Sequence, residues 1–160
     1  MPDAIKTMLA KDVINAKLAT AYITVNGKRY LLFQAKKLEA TIEKEKKEVS
    51  ILGRVQKGNK AYSAKGSGTL EIYKNTNLFD EMIQNFVDNG VDTYFDMQVI
   101  NEDPTSDAGR RSIVLQNCNI DSGTIANFDV DGDWLSDSIK FTFEGFRIAQ
   151  KFNELDGMKA

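Results

Sequence analysis

The 160-residue chain predicts a mainly β fold: an antiparallel β-barrel or sandwich of about seven strands with one flanking α-helix at residues 77–89. Three observations carry this expectation. Short runs rich in β-branched and aromatic residues recur along the chain with two-residue alternation. One such run is split by Asn26-Gly27, the strongest short hairpin signal, because a type I′ turn needs two residues with φ above zero. One segment alone shows a clean 3.6-residue apolar stripe. The length suits one domain with a full core rather than two.

Each element has its own warrant. Ile5, Leu9 and Val13 are spaced by four, but Thr, Asn and Asp dilute the pattern. Residues 1–20 therefore read as a weakly helical arm whose order depends on a partner. Residues 21–34 form the Asn-Gly hairpin. Residues 36–49 fit a helical face through Leu38, Ile42 and Val49, or an alternating strand through Leu38, Ala40 and Ile42. Residues 60–74 resume as strand, with Leu70 and Ile72 on one face. Gly66 and Gly68 there mark a bend or a close backbone approach.

The helix stripe is Leu78, Phe79, Met82, Ile83, Phe86 and Val87. Asn77 is placed to cap its start, Asp80 and Glu81 suit the positive end of the dipole, and Gly90 can close it. Residues 92–101 read as a strand and 102–109 as an exposed loop with Pro104. Residues 111–128 read as two strands joined near Asp121-Ser122-Gly123. From 137 to 149, Ile139, Phe141 and Phe143 face one way, and Lys140, Thr142 and Glu144 the other. The tail, 150–160, is polar and reads as flexible.

Composition removes several function classes. There is no histidine, so a Ser-His-Asp or Cys-His site is impossible and zinc has lost its commonest nitrogen ligand. The single Cys118 excludes an intramolecular disulfide, and in an apolar strand it reads as a buried, inert thiol. No apolar run approaches bilayer length, and Asp3, Lys6, Lys11 and Asp12 break up any signal-peptide core. The expected setting is a cytoplasm, without a membrane partner. The net charge of −2 argues against tight DNA binding, which uses a basic face.

Motif searches end the same way. Gly53 to Lys60 nearly matches a phosphate-binding loop, but Asn59 stands where the lysine is needed and no Ser or Thr follows Lys60. Asp129-Val-Asp-Gly-Asp133 resembles the start of a calcium loop, yet Trp134 and Lys140 occupy the places of its glycine and acidic residue. The 23 acidic residues guarantee chance carboxylate pairs, none with a neighbour that would tune it for acid–base work. No cofactor, metal or catalytic residue is expected.

What remains is the stretch 36–60, which holds six consecutive charged residues of mixed sign, Glu43 to Glu48. Such a run cannot build a core and is too long for an ordinary turn. It either stands out in solvent or meets something else.

Past this point the chain resembles a known family. Glu45-Lys-Lys-Glu-Val-Ser-Ile-Leu-Gly-Arg54, Lys57-Gly58-x-Lys60 and Gly66-x-Gly68-Thr-x-x-Ile-Tyr73 are similar to the tail tube protein of contractile-tailed phages and defective prophages of Gram-positive bacteria. The likeness continues through Tyr94-Phe95, Ile125-Ala126-x-Phe128-Asp129-Val130-Asp131 and Phe141-Thr-Phe-Glu-Gly-Phe146. It implies one tail-tube domain over 1–160 whose six copies form a ring, with rings stacked into a hollow tube. It also implies sheath, tape-measure and baseplate proteins as partners, a place in the virion tail, and DNA passing through the lumen without specific binding. Related tubes serve phage-tail-like bacteriocins and secretion systems. A ligand-binding β-barrel is the alternative from another class. By the same resemblance, the stretch 36–60 is strand leading into an extended loop that a partner orders, and the arm 43–60 meets the adjacent ring. The expected contact residues are Glu43, Lys44, Glu45, Lys46, Lys47, Glu48, Val49, Ile51, Leu52, Arg54, Lys57 and Lys60.

Overall fold

The computed structural model describes residues 5–159. Its strands are β1 (Ala19–Val25), β2 (Lys28–Leu31), β3 (Ala35–Val49), β4 (Gly58–Tyr73), β5 (Phe95–Glu102), β6 (Arg110–Ser122), β7 (Ser136–Phe143) and β8 (Gly145–Gln150), with helix α1 (Leu78–Asn89) between β4 and β5. All pair antiparallel in one eight-stranded sheet of order β2-β1-β5-β6-β7-β4-β3, with β8 added to β6. The sheet is mainly β as expected but does not close into a barrel, since its path ends on β2 and β3. It carries eight strands against the seven expected.

The first hairpin forms as its turn chemistry requires. Asn26 has φ 51° and Gly27 φ 79°, and Val25 pairs with Lys28. Residues 110–122 are a single strand, not two. Its first part pairs with β5 and β8, and its last residues, from Asn119, pair with β7. The change of partner falls at Asn117, whose φ is 52°. Here the register between β5 and β6 shifts, and the Asn117 N–H donates to Asp96 Oδ1 at 3.0 Å instead of to a ladder carbonyl. A bulge of this kind bends the strand. Opposite it, the Glu144 N–H donates to the Gln116 carbonyl at 3.1 Å, so β7 and β8 run as one ribbon around the same corner. Sequence periodicity does not register such a corner, because alternation continues through it.

The corner brings two halves of the sheet together: β2, β1, β5 and β8 on one side of β6, and β7, β4 and β3 on the other. Between them lies a core of Ile23, Met97 and Leu115 from the first half and Leu70, Ile72, Ile139 and Phe141 from the second. Cys118 is fully buried in it, and burial, with the Asp96 charge nearby, pushes its thiol pKa up to about 12.

Two glycines make room for aromatic rings in that core. Gly66 pairs across β7 with Phe143, and Gly68 with Phe141. A Cβ on Gly68 would lie 2.5 Å from the Phe141 ring and 2.7 Å from the Glu39 carbonyl. The close approach expected at these glycines is thus a ring lying on bare backbone. Gly68→Ala should cost about 1–3 kcal/mol by overpacking. Equilibrium denaturant unfolding checks this, and an unchanged midpoint contradicts it.

Helix α1 starts one residue later than expected. Asn77 makes no side-chain cap; the Thr76 hydroxyl accepts the Leu78 N–H at 3.3 Å instead. Gly90 closes the helix in the left-handed conformation, its N–H bonded to the Phe86 carbonyl. Only the first half of the stripe is core: Phe79 and Met82 are buried, whereas Phe86 and Val87 are exposed. Phe79 meets Phe95 edge to face at 6.3 Å.

A charged knot fastens the helix start to the sheet. Lys74 Nζ, just after β4, lies 2.7 Å from Asp80 Oδ1 on α1 and 3.1 Å from Asp137 Oδ2 on β7. Asp137 Oδ1 accepts the Thr124 N–H at 2.8 Å. Burial would pull the Lys74 ammonium down, but its bonds to both carboxylates outweigh this and hold its pKa above the usual 10.5. Burial would likewise raise the Asp137 carboxyl, but the Thr124 and Lys74 hydrogen bonds outweigh that and hold it below the usual 3.8.

Several expectations are corrected. The helical reading of the arm 1–20 gives way to one 3₁₀ turn, Ala10–Asp12, and the first four residues lie outside the described ones. The arm is held by its own chain: the Asn15 N–H donates to Asp103 Oδ2 at 3.0 Å and Lys11 pairs with Asp107 at 2.8 Å. The strand expected from residue 92 begins at Phe95. In the tail, which is irregular up to residue 159, the Asn153 N–H bonds to the Ala108 carbonyl at 2.7 Å.

Candidate assembly surface

The charged stretch resolves in favour of strand. β3 runs unbroken to Val49, and residues expected to form a loop from Glu43 onward pair with β4, from Glu43↔Lys65 to Val49↔Gly58, with one register shift between Glu45 and Lys46. The Lys and Glu side chains that favour helix are tolerated in the strand because almost all of them point into solvent. Only residues 50–57 are turn.

The geometry beyond the core is unusual for a single subunit. β7 covers β4 only from Gly66 to Tyr73, so Gly58–Lys65 pairs with β3 alone. At about 3.3 Å per residue these eight residues carry a two-stranded ribbon roughly 26 Å past the third strand. Such a ribbon is marginally stable alone in water. Partial support comes from the side chains at its base. Glu45 accepts from Tyr62, Ser63 and Lys65 at 3.0 Å each, and these bonds, that of Lys65 foremost, hold its pKa below the usual value. Lys47 lies 4.6 Å over the Tyr62 ring, and Glu48 is 3.5 Å from Lys57.

Four of the expected contact residues, Glu45, Lys47, Glu48 and Lys57, are therefore partnered inside the hairpin. Among the described residues, Glu43, Lys44, Lys46, Arg54 and Lys60 form no ion pair within the chain. At the tip, Gly53 turns the chain with φ 80°, and Leu52 is fully exposed. Val49 and Ile51 are about 40% exposed, at 40% and 39%. Val55 is as exposed as Leu52 and escaped the sequence reading, which weighted charge over the apolar tip.

Two further surfaces went unrecognised. Among the described residues, β2, β3 and β8 each have one edge without a neighbour, and that of β3 is fifteen residues long. A long free edge offers unpaired N–H and C=O groups to another strand. The loop between β6 and β7 exposes Ile125, Phe128, Val130 and Trp134. The aromatic content of this loop was legible, but Asp129–Asp133 was weighed only as a calcium loop and rejected, so its apolar neighbours were not read as a surface.

Comparison with known proteins places this geometry. A sequence model of the family described as phage tail tube protein matches residues 6–150. The phage-like element PBSX protein XkdM of Bacillus subtilis is 37% identical over 138 residues, covering 82% of this chain and 94% of its own. The YqbM protein of the same organism is 37% identical over 135 residues, covering 80% and 92%. Among solved structures, the SPP1 tail tube superposes with a TM-score of 0.61 at 14% identity, covering 90% of this chain and 81% of its own. The extended sheath-tube complex of an extracellular contractile injection system, PVC, gives 0.62 at 15%, covering 87% and 94%. At such identities these two matches speak to the fold alone.

Proposed function

The chain belongs to the phage tail tube protein family, a family of structural tail components, and on that premise we propose that it builds the inner tube of a tail by stacking hexameric rings. The observation that carries this is the β3–β4 ribbon. It stands clear of the core, ends in exposed Leu52 and Val55, and presents Glu43, Lys44, Lys46, Arg54 and Lys60, which form no ion pair among the described residues. A head-to-tail contact between two different patches closes a ring when it repeats by rotation, and a contact that also repeats by translation makes a filament. The free edges of β2, β3 and β8 supply the first kind of contact, and the ribbon supplies the second. Individual exposed ion pairs at the ribbon are worth only about 0–1 kcal/mol each. Apolar burial at Val49, Ile51, Leu52 and Val55, repeated around the ring, adds the rest.

In this reading the tube conducts double-stranded DNA, a sheath surrounds it, and tape-measure and baseplate proteins set its length and its end. The PBSX relative, named for a phage-like element, supports a prophage setting. Assembly takes place in the bacterial host cytoplasm. Negative-stain microscopy of the purified native chain tests the proposal. Rings with sixfold symmetry and stacked tubes are the expected result; monodisperse small particles at high concentration contradict it.

A further inference from the structure

Resting on the tube reading, we propose that the groove between α1 and the end of β6 receives the ribbon tip of a second copy in the neighbouring ring. Ile83, Phe86, Ile120 and Ile125 form the apolar surface of this groove, and Asp92 and Asp121 stand at its rim. Phe86 and Ile125 are exposed, and Ile83 and Ile120 half-buried. Among the described residues, little covers the second half of the helix stripe. Asp121 falls where the register between β6 and β7 shifts, and no residue of β7 pairs with it. A bulge of this kind re-aims a side chain away from the ladder.

The charge of this region is one-sided. α1 carries Asp80, Glu81 and Asp88 and no lysine or arginine, so its last turn holds no basic residue. The free carbonyls of a helix C-terminus concentrate partial negative charge, which a cation stabilises. Here Asp88 lies in the last turn and Asp92 just beyond it, so the helix supplies no cation of its own.

The ribbon tip is the complement. Residues 50–57 hold Arg54 and Lys57 and no acidic residue, beside fully exposed Leu52 and Val55. Among the described residues Arg54 forms no ion pair, and Lys57 reaches Glu48 only at 3.5 Å, with both side chains exposed. An apolar, cationic knob thus matches an apolar, anionic hollow in both kinds of chemistry.

The two features also lie at opposite ends of β4. The tip follows Val49↔Gly58, the last pair of the β3–β4 ladder. α1 follows Tyr73 at the other end, where Lys74 ties its first turn to β7. The sixteen residues of β4 span roughly 50 Å at about 3.3 Å each. A copy displaced along β4 by a length of this order meets its neighbour tip to groove. Knob and hollow are different patches, so each contact leaves a free knob at one end and a free hollow at the other, and stacking continues.

Disulfide trapping tests the contact. Buried Cys118 adds no reactive thiol, so a chain carrying Val55→Cys and Phe86→Cys offers one thiol at the tip and one at the groove. Tubes of this variant, oxidised with copper phenanthroline, should give a ladder of dimers, trimers and longer covalent chains on a non-reducing denaturing gel. Each single variant should stay monomeric. Tubes that give no ladder, or dimers from Val55→Cys alone, overturn the groove as the receiving site. A charge exchange decides independently of the cysteines. Arg54→Glu and Asp121→Lys should each raise the protein concentration at which tubes pellet, and the two combined should bring it back toward the native value. Tubes indifferent to Asp121→Lys, or a combined variant no better than its worse parent, assign the groove to some other protein and overturn the proposal. Absence of tubes from the native chain overturns the tube reading itself, whereas native tubes with neither ladder nor rescue overturn the groove alone.

Discussion

Deleting residues 45–58 will leave a subunit that folds and no longer builds tubes. The cut falls on the part of the ribbon that no third strand covers, since β7 meets β4 only from Gly66 onward. It removes Leu52 and Val55, which contact nothing in the chain to a degree that leaves them fully exposed. Lys44 and Ala64, which are cross-strand partners, stay in place, and Asn59–Ser63 remain to close a five-residue hairpin loop. No buried core residue is touched. The thermal midpoint should therefore change little, while tubes disappear entirely from electron micrographs and sedimentation. The shortened ribbon loses the Glu45 hydrogen-bond cluster and the Glu48–Lys57 pair, all of them exposed and worth little individually. Tubes of normal length from the deleted chain would remove the ribbon from the assembly mechanism. A narrower variant, Leu52→Asp with Val55→Asp, should act in the same direction by placing charge where apolar surface has to be buried.

Much of this fold was legible because local chemistry and tertiary structure agree. Asn26-Gly27 allows little besides a type I′ turn, and the alternation of Ile139, Phe141 and Phe143 admits one buried face. What escaped was non-local. The Asn117 bulge carries β6 from one half of the sheet to the other, and the N–H it frees from the ladder is taken by the Asp96 side chain of a different strand. The chain there alternates without a Gly or Pro to mark the bend, so two strands and a turn at Asp121–Gly123 looked as plausible as one. In the ribbon, Glu and Lys spoke for helix or loop, and the pairing that overrides them comes from β4, nearly twenty residues away at Lys44↔Ala64 and Glu45↔Ser63. The stripe of α1 gave the right helix but overstated its burial. Periodicity reports which face is apolar, and Phe86 and Val87 show that it does not report whether anything covers that face. The contact residues were legible as a segment, through charge density, and illegible one by one, because pairing inside the hairpin depends on register.

Lys74→Met will lower stability by about 3–5 kcal/mol, the usual cost of removing one partner from a buried ion network. Lys74 and Asp137 are both nearly buried, with side-chain exposures of 9% and 1%, and Asp80 is 17% exposed. The variant keeps the stem's volume and leaves two carboxylates facing each other without a cation. For a domain of this size the loss corresponds to a fall in melting temperature of roughly 6–20 °C. Its pH dependence follows from the two shifts. The Asp137 carboxyl is held below 3.8 in the folded state, so its contribution is present above that value and fades as the pH drops through the depressed one. The Lys74 ammonium is held above 10.5, so its contribution is present below that value and fades as the pH rises through the raised one. The difference between native chain and variant should be flat from neutral pH up to 10.5, shrink above it, and shrink on acidification. On acidification it should shrink from both directions. The native chain loses its ion pairs, while burial without a cation raises the Asp137 carboxyl pKa in the variant and makes it gain stability on protonation. Urea titrations at neutral pH and below the carboxylate range measure this directly. A gap that stays constant below the carboxylate range would mean that the Lys74 stem supports the junction of β4, α1 and β7 by packing, with its charge adding nothing.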